Sequence, residues 1–197
     1  MKNMLKLGLI LAIYATVACV GLAFVYAGTK TVIAERQKTD LAAALKDLFP
    51  SADDFKESPD GVVSPDTTVS FNNVYMVTAS GTTVGIAVRA VGKSYGGPIT
   101  ILAGVDTQRK ITGVKILENK DTPGLGANAA SPAYFVDRAA GVTFYGQFDG
   151  KSIDDRFEVK GDIAAITAST ITSKAVAGVV KAIGKAAGDR LAAEGGK

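Results

Sequence analysis

The sequence predicts an α+β fold in which one amino-terminal transmembrane helix precedes a domain built on an antiparallel sheet flanked by helices. Three observations predict it. Twenty-three uncharged residues, Leu7–Thr29, lie between Lys6 and Lys30. Four strand-like runs separated by turn residues occupy the middle of the chain. The last stretch, from about Thr170 to Ala193, repeats Ala175, Val176, Val179, Val180 and Ile183 at helix period, with no regular βαβ alternation before it.

An α-helix rises about 1.5 Å per residue, so roughly 20 residues cross the hydrocarbon core of a bilayer. Leu7–Thr29 is long enough, and Tyr26 sits near its end, as an interface aromatic would. A secretory signal peptide is the rival reading. Its apolar core would be shorter, roughly 7–15 residues, with a small-residue cleavage site after it. Ala23 and Ala27 mimic such a site, but Phe24, Val25 and Tyr26 between them fit it poorly. An uncleaved helix in a lipid bilayer is the better reading. Lys2 and Lys6 on one side nearly balance Lys30, Arg36 and Lys38 on the other, where Glu35 and Asp40 dilute the charge. The positive-inside count therefore leaves the orientation open.

The chain divides into a short amino terminus (1–6), the transmembrane helix (7–29), a helical and loop connector (30–70) and a domain (71–197). The helix continues through Thr29–Phe49, with Ala34, Leu41, Ala44, Leu45 and Leu48 at helix period, and Pro50 ends it. Residues 50–70 are rich in Ser, Asp, Pro and Gly and read as loop. The strands are Asn73–Ala79, Thr83–Val91, Ile99–Val105 and Ile111–Leu117, with hairpin turns at Ser80-Gly81 and Asp106–Lys110. A glycine-bearing turn spans Asp121–Gly126. A helix is expected over Pro132–Ala139, and short strands over Phe144–Phe148 and Phe157–Lys160.

The 197 residues carry a net charge of +3, which points to neither a nucleic-acid binder nor an acidic scaffold. There is no His, the commonest metal ligand and the commonest neutral-pH general base. Cys19 is the single cysteine, so this chain builds no internal disulfide, zinc cluster or iron–sulfur ligand set. Redox chemistry would need an organic cofactor.

Two segments stand out. In Thr122, Pro123, Gly124, Leu125 and Gly126 the glycines let a backbone approach a flat or phosphorylated ligand, and the proline fixes the turn. The loop superficially matches a dinucleotide fingerprint, but the strand–loop–helix context of that motif is missing. A lone glycine turn of this kind is structural more often than not. In Thr167–Ser173, five of seven residues bear hydroxyls, and they stand at the start of the last helix. Free backbone N–H groups and the positive dipole end make that a natural phosphate site. An ordinary helix N-cap, at Ser169 or Thr170, accounts for the same residues.

Together, in this order and behind a membrane helix, the two segments resemble the FMN-binding G subunit of the Rnf ion-translocating oxidoreductase. They are also similar to the C subunit of the sodium-pumping NADH:quinone oxidoreductase. The resemblance covers nearly the whole chain. The family loop Glu/Asp-Thr-Pro-Gly-Leu-Gly is matched by Asp121–Gly126, and Tyr95-Gly96-Gly97 looks like the entry to the family's central hairpin. The family's flavinylation signal reads Ser/Thr-Gly-Ala-Ser/Thr-x-Thr, and Thr167, Thr170 and Thr172 match its hydroxyl positions. Ala168 replaces the signal's Gly and Ser169 its Ala. An Asp often precedes the signal by three positions, where this chain has Ala164, with Asp162 two residues earlier.

The resemblance implies FMN bound covalently to Thr172 by a phosphoester. Thr167, Thr170 and Ser173 would be further contacts, and the Thr122–Gly126 loop would pack on the flavin ring. It implies a one-cofactor electron relay with no catalytic residues or metal of its own, within a redox translocase. The partners would be the other membrane subunits of the complex, and a flavin transferase for maturation. The amino terminus would be cytoplasmic and the flavin domain extracytoplasmic, on the cell membrane. Two other classes stay open: a flavin-free membrane-tethered binding or assembly module, and a free-standing extracytoplasmic flavoprotein reductase.

Overall fold

A computed structural model describes residues 1–58, 62 and 64–195. The chain forms two compact units, Met1–Ala42 and the residues from Ala43 onward. Helix α1 runs without interruption over Lys2–Leu48, so the expected membrane helix and the expected connector helix are one element. It is long and apolar enough to cross a membrane. Leu9, Leu11, Phe24 and Val25 are all exposed on it, the character of a helix that meets lipid rather than a protein core.

In the second unit, five strands form an antiparallel meander in the order β1 (Asp54–Glu57), β2 (Ser70–Ala79), β3 (Thr82–Lys93), β4 (Pro98–Asp106) and β5 (Ile111–Asn119). The two expected hairpin turns form. Ser80 and Gly81 both have positive φ, as a two-residue turn matched to strand twist requires. Asp106 closes the other turn, its Oδ1 accepting from the N–H groups of Gln108 and Lys110.

Alternation along β3 and β4 sorts their side chains. Ile86, Val88, Ala90, Ile99, Ile101, Ala103 and Val105 join one hydrophobic cluster with Val176, Val179, Val180 and Ile183 of helix α2 (Thr170–Gly195). On the opposite face Gly85 and Gly104 leave a notch. The ring of Phe49 fills it, so that a Cβ at either glycine would stand 2.6 Å from a ring carbon. Leu48 likewise packs over Gly113. Seven of the nine residues of β4 are consequently buried, although the sheet is antiparallel.

Several expectations fail. Residues 50–70 are not all loop: Asp54–Glu57 pairs with β2, from Asp54 opposite Thr78 to Glu57 opposite Tyr75. Residues 59–61 and 63 of that expected loop lie outside the described residues. Pro132–Ala139 is not a helix but a turn followed by the three-residue strand β6 (Phe135–Asp137), which pairs with β7 (Val142–Thr143). Phe144–Phe148 is not a strand: Gly146–Phe148 is a turn of 3-10 helix. Phe157–Lys160 is not a strand either. Phe157 and Lys160 both have positive φ, and one isolated bridge joins Val159 to Ile163. Its aromatic residue serves the core instead. Phe148 meets Phe144 edge-on at 5.7 Å and stacks on Phe157 at 6.4 Å.

Candidate functional site

Strand register gathers three distant segments at one end of the sheet. Lys93 pairs with Pro98, so the turn between β3 and β4 lies there. Ile99 pairs with Asn119, so the exit of β5 lies there too. The start of α2 is the third segment, and Asp121 joins all three. Its Oδ2 accepts from the Ser94 hydroxyl at 2.5 Å and the Thr172 hydroxyl at 2.6 Å. Its Oδ1 accepts from the Gly96 N–H at 2.5 Å. Asn119 steadies the loop from behind, its Oδ1 accepting from Asp121 N–H and its Nδ2 donating to the Gly126 carbonyl.

Asp121 is only 5% exposed. Burial pushes its carboxyl up, but the hydrogen bonds from Ser94, Thr172 and Gly96 outweigh that and hold it below its ordinary value. Asp121 thereby ties the β3–β4 turn, the loop after β5 and the start of α2 together. It is a buried hub.

A cavity of about 470 Å³ opens beside this hub, within the range of small-molecule sites. Tyr95, Asp121, Thr122, Leu125, Gly126 and the run Ala168–Thr172 line it. Tyr95, Leu125 and Ile171 give it an exposed apolar rim. Thr122, Leu125, Gly126, Thr170 and Thr172 thus come together around one cavity. Pro123 and Gly124 do not line the cavity; they shape the turn, with Gly124 at φ +76° and the Thr122 carbonyl accepting from Leu125 and Ala127.

Thr167 is exposed and is not among the residues that line the cavity. Ser173 lies behind it, fully buried. The Ser173 hydroxyl accepts from Ile166 N–H at 2.9 Å and donates to the Ser169 carbonyl at 3.0 Å, locking the turn that starts α2. It is a structural residue of the signal rather than a cavity contact. Lys174 is exposed.

Tyr95, Ser169 and Ile171 also line the cavity. The Tyr-Gly-Gly sequence before β4 was the signal for Tyr95. Gly96 is obligatory there, because a Cβ would overlap the Lys120 carbonyl.

The departures from the family signal have structural readings. Asp162 is already engaged, accepting from Phe157 and Glu158 N–H and pairing with Lys151 at 3.3 Å. Gln147 brackets Ala164 by accepting from its N–H and donating to its carbonyl. Ala168, in place of the signal's Gly, has φ +58°. Left-handed backbone costs an L-residue about 1–2 kcal/mol. Ala168→Gly is therefore expected to raise stability by about 1 kcal/mol. Urea unfolding followed by circular dichroism checks this; an unchanged or lowered midpoint would mean that the turn bears no strain.

The sequence matches the FMN-binding domain family over residues 94–185 and the RnfG N-terminal region over residues 1–48. Fold and site thus define a protein with an FMN-binding domain behind an apolar amino-terminal helix. The chain is 34% identical to the G subunit of the Na(+)-translocating ferredoxin:NAD(+) oxidoreductase complex of Acetobacterium woodii, over 89% of this chain and 87% of that protein. It is 30% identical to the G subunit of the ion-translocating oxidoreductase complex of Aliivibrio fischeri, over 92% and 89%. A Clostridium ljungdahlii relative, named as the G subunit of a proton-translocating ferredoxin:NAD(+) oxidoreductase complex, is 38% identical over about half of each chain, 50% and 51%. The chain belongs to the G-subunit family of ion-translocating oxidoreductase complexes. The crystal structure of Shewanella oneidensis NqrC covers 75% of this chain and 74% of its own, at 18% identity and a TM-score of 0.49.

Proposed function

We propose that the chain is an electron-transfer subunit of a membrane-bound ion-translocating ferredoxin:NAD oxidoreductase and carries FMN joined to Thr172 by a phosphoester. The observation that carries the proposal is the placing of Thr172. Its hydroxyl is held 2.6 Å from a buried carboxylate, in the first turn of α2, on the wall of a cavity with an apolar rim.

The residues present fit FMN. The unshared N–H groups of the first turn of α2 and its dipole suit a phosphate. Leu125, Tyr95 and Ile171 offer apolar surface to a flat ring. Gly126 makes room, since a Cβ there would overlap the Thr172 hydroxyl. When bound, FMN supplies the one- and two-electron chemistry that this set of side chains lacks.

The chain's own part is to hold and to insulate. Thr172 provides the attachment oxygen, and Asp121 fixes that oxygen against the cavity. The Thr122–Gly126 turn presents backbone groups close to the ring, where hydrogen bonds tune a cofactor's potential. Covalent attachment suits a domain outside the cytoplasm, where a lost FMN is not readily replaced. The protein is then a single-pass subunit of the cell membrane with its cofactor domain on the outer side. Its partners are the other membrane subunits of the complex, lipid around α1, and a flavin transferase that loads it.

The full chain, expressed with and without a flavin transferase, is expected to fluoresce under ultraviolet light on denaturing gels only when the transferase is present. Its mass rises by one FMN less one water. Thr172→Val is expected to lose both signals. Acid-stable flavin persisting in Thr172→Val would falsify the attachment, and a colourless wild-type protein would favour a flavin-free binding module.

A further inference from the structure

We infer that Asp121 is the group that orients the Thr172 hydroxyl for modification and takes its proton when the flavin phosphoester forms. The inference rests on the reading of Thr172 as the flavin attachment site.

A threonine hydroxyl is a weak nucleophile unless a neighbour directs its lone pair and relieves it of its proton. Among the described residues, the group within hydrogen-bond reach of Thr172 Oγ1 is Asp121 Oδ2, at 2.6 Å. The bond is shielded, because Thr172 is 2% and Asp121 5% exposed. The chain has no His to serve instead. The bond also fixes direction. With the hydroxyl hydrogen committed inward to Asp121, an oxygen lone pair is left for the cavity that Thr172 lines.

Ser94, donating to the same Oδ2, and Gly96, donating to Oδ1, anchor the carboxylate, so the acceptor does not follow the hydroxyl if it turns. The same bonds keep the carboxylate ionised, ready to accept a proton at neutral pH, though they also make it a weak base. Weakness is tolerable, because the threonine oxygen grows acidic only as it bonds to phosphorus, and the proton moves at that point.

The balanced step needs a phosphoanhydride of FMN, such as flavin adenine dinucleotide, as donor. A lone pair of Thr172 Oγ1 forms the new bond to the flavin-side phosphorus. The anhydride P–O bond breaks, and its electron pair leaves on the nucleoside monophosphate. The hydroxyl proton passes to Asp121 Oδ2. No electron is gained or lost by the flavin ring.

The test uses the full chain in detergent, purified free of flavin, with a flavin transferase and flavin adenine dinucleotide. Initial rates of covalent loading are followed across pH for wild type, Asp121→Asn, Asp121→Glu, Ser94→Ala and Thr172→Val, and each variant is melted. Asp121→Asn is expected to load about 100-fold more slowly, the deficit shrinking about tenfold per pH unit as hydroxide replaces the carboxylate. Asp121→Glu, which restores a carboxylate, is expected to recover most of the rate.

Ser94→Ala removes one donor and lets the carboxyl pKa rise, so its acid limb should move to higher pH relative to wild type. This variant decides the matter if Asp121→Asn does not fold. Wild-type loading by Asp121→Asn, a deficit that ignores pH, or an acid limb unmoved in Ser94→Ala overturns the role of Asp121 while attachment to Thr172 stands. Loading of Thr172→Val, or none of wild type, overturns the attachment and this inference with it.

Discussion

Gly126→Ala is expected to abolish covalent flavin loading and to destabilise the domain by about 2–3 kcal/mol. The added Cβ would overlap Thr172 Oγ1 and stand 2.8 Å from both Cβ and Oδ2 of Asp121. None of these atoms is the free end of a flexible chain. Asp121 is tied to Ser94 and Gly96, and Thr172 belongs to the first turn of α2. Relief therefore requires the helix start and the loop to separate, which breaks the 2.6 Å hydrogen bond between them. Two buried polar groups then lose a partner, each at a cost of about 1–3 kcal/mol where nothing replaces it. Ultraviolet fluorescence on denaturing gels and urea unfolding measure the two effects. Wild-type loading by Gly126→Ala would show that the close approach is dispensable.

Phe49→Ala is expected to cost about 3–5 kcal/mol, a large part of the roughly 5–15 kcal/mol that holds a domain folded. The ring occupies a notch made by two glycines on adjacent strands, Gly85 and Gly104, and is itself 5% exposed. Rigid strands line the hole it would leave. Glycines have no side chains to swing inward, and β3 and β4 are pinned in register from Gly85–Asp106 to Lys93–Pro98. The cavity should therefore persist rather than collapse, which puts the loss at the upper end of the range. Equilibrium urea unfolding of the full chain in detergent reads it; a loss below about 1 kcal/mol would mean that the sheet closes over the gap.

The sheet was legible because its signals are local. Strand-like runs bounded by turn residues mark β2 to β5, and Ser80-Gly81 is its own turn instruction. Strand β1 was hidden in Asp-Phe-Lys-Glu, too short and too charged to show a pattern, and it exists through pairing with β2 alone. Residues 132–139 have the composition of a helix, but Pro132 opens them and β7 offers Phe135 a partner, so tertiary pairing overrode propensity. Phe157 follows the same logic, adopting positive φ to stack on Phe148.

Around the cavity, glycine spacing and hydroxyl density drew attention to residues 122–126 and 167–173, and the family resemblance singled out Thr172 among them. The roles of Ser173 and Asp121 were not legible, because they depend on which side of a turn a side chain faces. Ser173 turns inward and closes the helix start, whereas Asp121 connects residues 27 and 51 positions away.

Those separations have a consequence for quality control in the cell. An unfolded chain displays the same threonines, but it brings neither residue 94 nor residue 121 to the side of residue 172. A tag placed through that juxtaposition marks only molecules whose sheet and terminal helix have already docked. With FMN attached at Thr172 as proposed, misfolded copies would stay colourless, and the pool that enters assembly would be proofread by its own pigment.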